Sequence, residues 1–155
     1  MNISGAVGLG VVLSLYLAVP AFAQEKKINR SDLPPAVEKT VSEQSQGATI
    51  RGFAQEKEKG QTFYEAELMV DGHSKDVLMD VNGQIVEVEE QVALDSLSPT
   101  VRDGLQAKAG KGKLEKVESL TKRGKLVAYE AQVVTGGKRS EVQVGPDGKP
   151  LDHEE

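Results

Sequence analysis

The folded part of this chain is written twice. Leu33-Pro34-Pro35-Ala36-Val37 returns as Leu97-Ser98-Pro99-Thr100-Val101, and Gly60 returns as Gly124, all displaced by 64 positions. One residue is then inserted. Tyr64-Glu65-Ala66 returns as Tyr129-Glu130-Ala131, with Val77 matching Val142 and Gly83 matching Gly148, at a displacement of 65. Three consecutive identities, a shared order of helix and turn signals, and one insertion placed in a turn point to an internal duplication. The object to explain is therefore one supersecondary unit and its copy. A duplicated unit without catalytic residue types presents a surface rather than an active site.

Each copy opens with a helical stripe. Leu33, Val37 and Val41 recur one turn apart with Ala36 beside them, and Leu97, Val101 and Leu105 repeat the pattern. Ser31 or Asp32 is available to the free amides at the first helix start, and Ser98 at the second. Proline is tolerated in the first turn because its missing N–H had no partner there. Gly47 and Gly110 read as stops. Gly104, inside the second helix, costs it about 1 kcal/mol relative to alanine.

Strands follow each helix. Ile50 and Phe53 match Leu114 and Val117 in a first, irregular strand. After charged turns ending at Gly60 and Gly124, Tyr64, Ala66, Leu68 and Val70 alternate with polar neighbours, as do Tyr129, Ala131, Val133 and Thr135; that is the period of a strand buried on one side. Asp71-Gly72 and Gly136-Gly137 read as tight hairpins leading to strands with Val77, Met79 and Val142, Val144. Asn82-Gly83 and Asp147-Gly148 turn into a last strand, carrying Val86 and Val88 in the first copy. In the second copy Pro150 and the acidic 152–155 end make that strand short and frayed. Residues 87–95 read as an acidic hinge.

The fold expected is α+β: two tandem repeats of one helix plus a three- to four-stranded antiparallel meander, with both helices packed on one face of a curved sheet. The repeats span 31–91 and 92–155, preceded by a polar, flexible segment at 24–30.

Residues 1–24 carry no charged side chain, and an apolar run from Ile3 to Val19 ends in Pro20-Ala21-Phe22-Ala23. This reads as a secretory signal peptide, 1–23, cleaved after Ala23. An uncleaved anchor is the rival, since the run is nearly long enough to span a bilayer. Export places the protein in the periplasm or outside the cell, with no stable membrane insertion after cleavage. Without cysteine, packing alone must hold it. Units of this size are marginal alone, so a shared core or a continuous sheet is expected. The net charge of −5 and the lack of a basic cluster argue against nucleic acid.

These residues resemble the PepSY-like family of exported bacterial proteins. Its unit opens on a Leu-Pro-x-x-Val helix, passes a charged turn into a Tyr-Glu-x-x-Val/Leu strand, and closes on an Asp-Gly or Asn-Gly hairpin. Here the pattern is carried by Leu33, Pro34, Val37, Tyr64, Glu65, Leu68 and Asn82-Gly83. It returns at Leu97, Val101, Tyr129, Glu130, Val133 and Asp147-Gly148. The resemblance implies a fold similar to the β-lactamase inhibitory protein, whose curved sheet grips an enzyme. It also implies a protease-inhibiting role, because such units occur in propeptides of thermolysin-type metalloproteases.

Catalysis has little raw material. The histidines are His73, in a turn, and His153, near the end of the sequence, and neither supplies a nucleophile–base geometry or a convergent zinc ligand set. Asp80-Val81-Asn82-Gly83 is accounted for as a hairpin rather than a calcium loop. No enzyme activity, cofactor or metal is expected. Strand alternation instead puts Phe63, Glu65, Glu67, Met69, Asp76, Leu78 and Asp80 on the face away from the helices. Ala128, Glu130, Gln132, Val134, Arg139, Glu141 and Gln143 share that face in the second copy. From this set, Phe63, Glu65, Glu67, Met69, Asp76, Leu78, Asp80, Glu130, Gln132 and Glu141 form the expected docking surface. Its partner would be an envelope protein with a basic or amphipathic surface. The alternative is a periplasmic sensor or chaperone-like module that binds a cation or peptide under envelope stress.

Overall fold

In the computed structural model, which describes residues 25–153 and 155, the alternating segments form one antiparallel sheet. The expected signal segment 1–23, its cleavage point and Gln24 lie outside the described residues. The strands are β1 (Lys26–Lys27), β2 (Thr49–Glu58), β3 (Gln61–Val70), β4 (His73–Asp80), β5 (Ile85–Val92), β6 (Lys113–Lys122), β7 (Lys125–Thr135) and β8 (Lys138–Val144), each paired with the next in sequence. Helix α1 (Pro35–Gln44) precedes β2 and α2 (Pro99–Ala109) precedes β6, each after a single 3-10 turn. No described helix is long and apolar enough to cross a membrane.

Both helices lie on one sheet face. Leu33, Val37 and Val41 pack with Phe53, Ala66, Leu68, Val77 and Met79. Leu97, Val101 and Leu105 pack with Val117, Ala131 and Val144. Each fully buried valine or leucine contributes about 1.5–3 kcal/mol. The two clusters meet through β5, whose Val88 packs against the first and Val92 against the second. Glu87–Val92 therefore form no hinge: they pair with Val117–Lys122 and carry the sheet across the join. Their charges are those of a strand face rather than of a linker.

Other expectations shift with local chemistry. Within the segment read as flexible, Lys26 and Lys27 pair with Gln55 and Ala54 as a short edge strand. Asp32 caps the preceding 3-10 turn, where its Oδ2 accepts from the Asn29 N–H at 2.9 Å; α1 itself starts at Pro34-Pro35 without a side-chain cap. Ser98 does cap α2, its hydroxyl accepting from the Val101 N–H at 3.3 Å. The three-residue spacing of Ile50 and Phe53, and of Leu114 and Val117, comes from register shifts between Ile50 and Gly52 and between Leu114 and Lys116. An extra residue there returns the side chain to the same face. A further shift between Leu78 and Met79 pairs Ile85, not Val86, with the core residue Met79.

The paired turns at Gly83 and Gly148 seat the helices. Both glycines have φ near +80° (76° and 80°), and a Cβ on either would collide with a first-turn helix carbonyl, Ala36 or Thr100. Thr40 Oγ1 then donates to the Gly83 carbonyl at 2.7 Å. Gly104 stands at the position matching Thr40, and its bare Cα abuts the Gly148 carbonyl. The propensity lost at Gly104 is exchanged for close docking.

Among the described residues the second half has no fourth strand. Its turn repeats the first: Gly145 N–H bonds the Lys149 carbonyl at 2.8 Å as Asp80 N–H bonds that of Gln84 at 3.0 Å. Pro150 then occupies the position matching Ile85 and has no N–H for a ladder. The chain instead returns over the other sheet face, where the Glu155 N–H donates to Gln143 Oε1 at 2.9 Å.

Candidate functional site: an acidic sheet face with a groove at one end

The face opposite the helices is built by strand register. Glu65 lies across from Ala54 and Leu78, Glu67 from Gly52 and Asp76, and Phe63 from Glu56 and Asp80. The rows continue through Asp76–Glu89, Leu78–Glu87 and Glu118–Glu130. Glu56, Glu65, Glu67, Asp76, Glu87, Glu89, Glu118 and Glu130 thus share one surface running from β2 to β7. The face is hollow enough to bury Ala54, Leu120 and Ala128 without a covering layer of helices, and Glu118 and Gln143 are buried with them. Ala128, expected to face outward, is on this face but fully covered.

Crowding dominates the electrostatics. Burial, reinforced by the charge of Asp76 and then of Glu56, pushes Glu65 up to about 8. Burial and the Glu87 carboxylate push Glu89 up to about 9. Asp76 rises to about 6 through burial, against the pull of Lys116. Burial also raises Glu56, which hydrogen-bonds Glu65. Cations answer only part of this: Lys116 Nζ sits 2.6 Å from Glu118, and Lys122 Nζ lies 3.5 Å from both Glu87 and Glu155.

At one end the acidic surface passes into a groove of about 790 Å3 with a mixed lining, in which Phe63, Leu78, Val81 and Val86 stand among Glu58, Asp80, Glu87, Lys59, Lys122 and Arg123. Val81 is 51% exposed, and Val86 faces this groove because of the shift before Met79.

Of the expected docking residues, Phe63, Glu65, Asp76 and Leu78 come together around the groove and the acidic hollow. Glu67 and Met69 extend the face toward Arg51 and Lys116. Gln132 and Glu141 lie apart, beside Arg139. Two of the acids are committed elsewhere. Asp80 Oδ1 accepts from the Asn82 and Gln84 N–H groups, both at 2.9 Å, and so shapes its turn. Glu130 accepts from Gln143 Nε2 at 2.7 Å. The sequence reading missed Glu56, Glu87, Glu89 and Glu118. Extending the alternation through β5 and β6 would have found the last three.

A convergence of carboxylates also went unforeseen. Ligand oxygens of Asp76, Glu89 and Glu118 lie within 4.8 Å of one another. Their donor chemistry is that of a hard cation such as calcium, although Glu118 is already held by Lys116 and by the Ser74 hydroxyl at 3.4 Å. His73 and His153 are exposed and far apart in sequence.

The chain matches no protein-family model and no curated protein sequence. Its fold is similar to solved structures from Bacteroides. A DUF2874 family protein from Bacteroides ovatus is 23% identical over 77% of this chain and 85% of that one, with a TM-score of 0.59. A proposed periplasmic protein from Bacteroides eggerthii is 18% identical over 77% and 86%, with a TM-score of 0.62. A BLIP-like protein from Bacteroides fragilis is 20% identical over 77% and 83%, with a TM-score of 0.56. The fold is BLIP-like. At these identities the likeness is one of architecture, and it leaves the face of this chain to be read from its own residues.

Proposed function

We propose that the chain is an exported, non-enzymatic binding protein built from two tandem PepSY-like repeats, which holds a protein partner in the periplasm on its open sheet face. The observation that carries this is a groove that presents Phe63, Leu78, Val81 and Val86 beside a surplus of carboxylates on the same face. A surface that only needed solvation would mix signs and keep large apolar groups off. A partner segment with an apolar side chain for the groove and lysines or arginines for the acids satisfies both features. Phe63 and Leu78 are the anchors, and the acids steer association. Inhibition of a secreted enzyme is the use that the fold likeness favours.

The test is capture of partners from periplasmic extract. Phe63→Ala with Glu65→Lys should abolish capture and leave the melting temperature at or above that of the parent, since the lysine relieves repulsion. Undiminished capture by the folded double variant would refute the reading. The convergence of Asp76, Glu89 and Glu118 favours a second reading, a cation-binding module. Calcium should then raise the melting temperature of the purified chain and not that of an Asp76→Asn, Glu89→Gln variant.

A further inference from the structure

The two ends of the sheet are finished differently. At one end β1 is two lysines long, and a short, charged strand is a poor template for another chain. At the other end β8 runs for seven residues, and among the described residues no strand pairs with its outer side. The duplication shows what such an edge accepts. β8 corresponds to β4 through Val77 and Val142, and the matching edge of β4 is filled by β5 in register from Lys75–Glu90 to Met79–Ile85. In the second half Pro150 stops that strand from forming, and the chain leaves across the open face. Lys138 to Glu141 are exposed along the unfilled edge.

The side chains on this edge are complementary to themselves. Arg139 and Glu141 are two residues apart, so they point to the same face. When β8 meets an antiparallel copy of itself with Ser140 on the two-fold axis, Arg139 of each chain stands opposite Glu141 of the other. Opposite charges directly across an antiparallel pair are favourable, and like charges are not. Centring the pair one residue away, on Arg139 or Glu141, would set like charges against each other. Within the chain Arg139 is ion-paired with Glu115 only at 4.0 Å and is 79% exposed, so the guanidinium can reach the second chain.

We propose that two copies of this protein join edge to edge through β8, with Ser140 on the axis and Arg139–Glu141 pairs on either side, to give one continuous sheet across both chains. A self-complementary patch of this kind closes as an isologous dimer. A single strand pair buries less than the ~1,000 Å2 expected of a permanent interface, so the dimer forms at high protein concentration and dissociates on dilution. Both acidic faces then lie on the same continuous sheet.

The chain has no cysteine, so one introduced thiol reports without background. In the mature chain Ser140→Cys places two thiols across the axis, where paired Cα atoms are about 4.5–5.5 Å apart, within the range a disulfide spans. Lys138→Cys places them roughly 14 Å apart at about 3.4 Å per residue, too far to bridge. Under mild oxidation the first variant should become a covalent dimer at least tenfold faster than the second. Sedimentation velocity at rising concentration should show Arg139→Glu at least tenfold weaker in dimerisation than the parent. Arg139→Glu with Glu141→Arg should recover most of that loss, because the swapped pair still matches. Equal crosslinking at the two positions, a parent that stays monomeric at every concentration tested, or a double variant no better than the single one would overturn the proposal.

Discussion

Gly104 separates helix propensity from docking, because the two push its substitution in opposite directions. On propensity alone, Gly104→Ala in the middle of α2 should stabilise the protein by about 1 kcal/mol. The structure argues otherwise. A Cβ at this position would fall on the carbonyl oxygen of Gly148, with the carbonyl carbon and Cα of the same residue at 3.0 and 3.3 Å. These are backbone atoms of a turn whose own glycine is pressed against Thr100, so no side chain can swing away. Relief requires α2 to lift from the sheet, which loosens Val101 and Leu105, now 2% and 0% exposed. Overpacking of this kind costs roughly 1–3 kcal/mol. Set against the propensity gain, the net effect is a loss of about 0–2 kcal/mol, which lowers the melting temperature by up to several degrees in a domain of this size. Thermal and urea denaturation of the protein measure it directly. A melting temperature above the parent's would refute the docking argument and leave propensity in charge.

Two further outcomes follow from the sheet. Expressing 24–92 and 93–155 separately should give poorly folded, aggregating fragments, because the cut exposes the edges of β5 and β6 and removes Val92 from the second core; two soluble halves, each with a sharp thermal transition, would contradict this. Stability should also fall from mildly acidic to mildly alkaline pH. Glu65 is held near 8 in the folded state against an ordinary 4.5, so its favourable contribution is complete below 4.5 and lost as pH rises through 8. Glu65→Gln should therefore melt higher than the parent at pH 9 and alike at pH 4, as followed by circular dichroism, and a gap that is the same at both pH values would refute the assignment.

Most of the fold was legible because each element announces itself locally. The stripes Leu33–Val37–Val41 and Leu97–Val101–Leu105, and the period-two runs beginning at Tyr64 and Tyr129, each reflect one buried side. What escaped the sequence depends on partners far along the chain. Glu87 and Glu89 read as a charged linker because nothing local tells that β6 waits beside them, 30 residues on. Val86 and Val88 read as a matched pair until the register shift opposite Leu78 turns one of them to the other face. Gly83 and Gly148 were explained as hairpin residues, and that explanation hid their second duty against Ala36 and Thr100. The makeup of the open face was legible in its first-half residues, Phe63, Glu65, Glu67, Asp76 and Leu78. For Asp80 and Glu130, alternation gave the side each faces but not the hydrogen bonds that Asp80 accepts from its own turn and Glu130 from Gln143.

The acidic face is also where this chain departs from economical folding. The two core clusters and the helix seats agree with every local signal around them, as they do in sequences that specify one structure. The strands β2 to β7 could have kept that agreement by alternating lysine with glutamate across neighbouring strands, since opposite charges facing each other are stabilising. Instead Glu67 faces Asp76, Asp76 faces Glu89 and Glu118 faces Glu130. Each such pair sets carboxylates against each other, and burial, with neighbouring carboxylates adding to it, holds Glu65 up to about 8 and Glu89 up to about 9. Rules broken in one place, amid consistency elsewhere, are the mark of a surface kept for something other than the fold. A cationic ligand reverses the balance: every positive charge brought into the hollow removes a repulsion already present, so binding gains what folding lost. That coupling gives the proposed docking face a signature in the protein alone, because whatever occupies it must also raise the melting temperature of the chain.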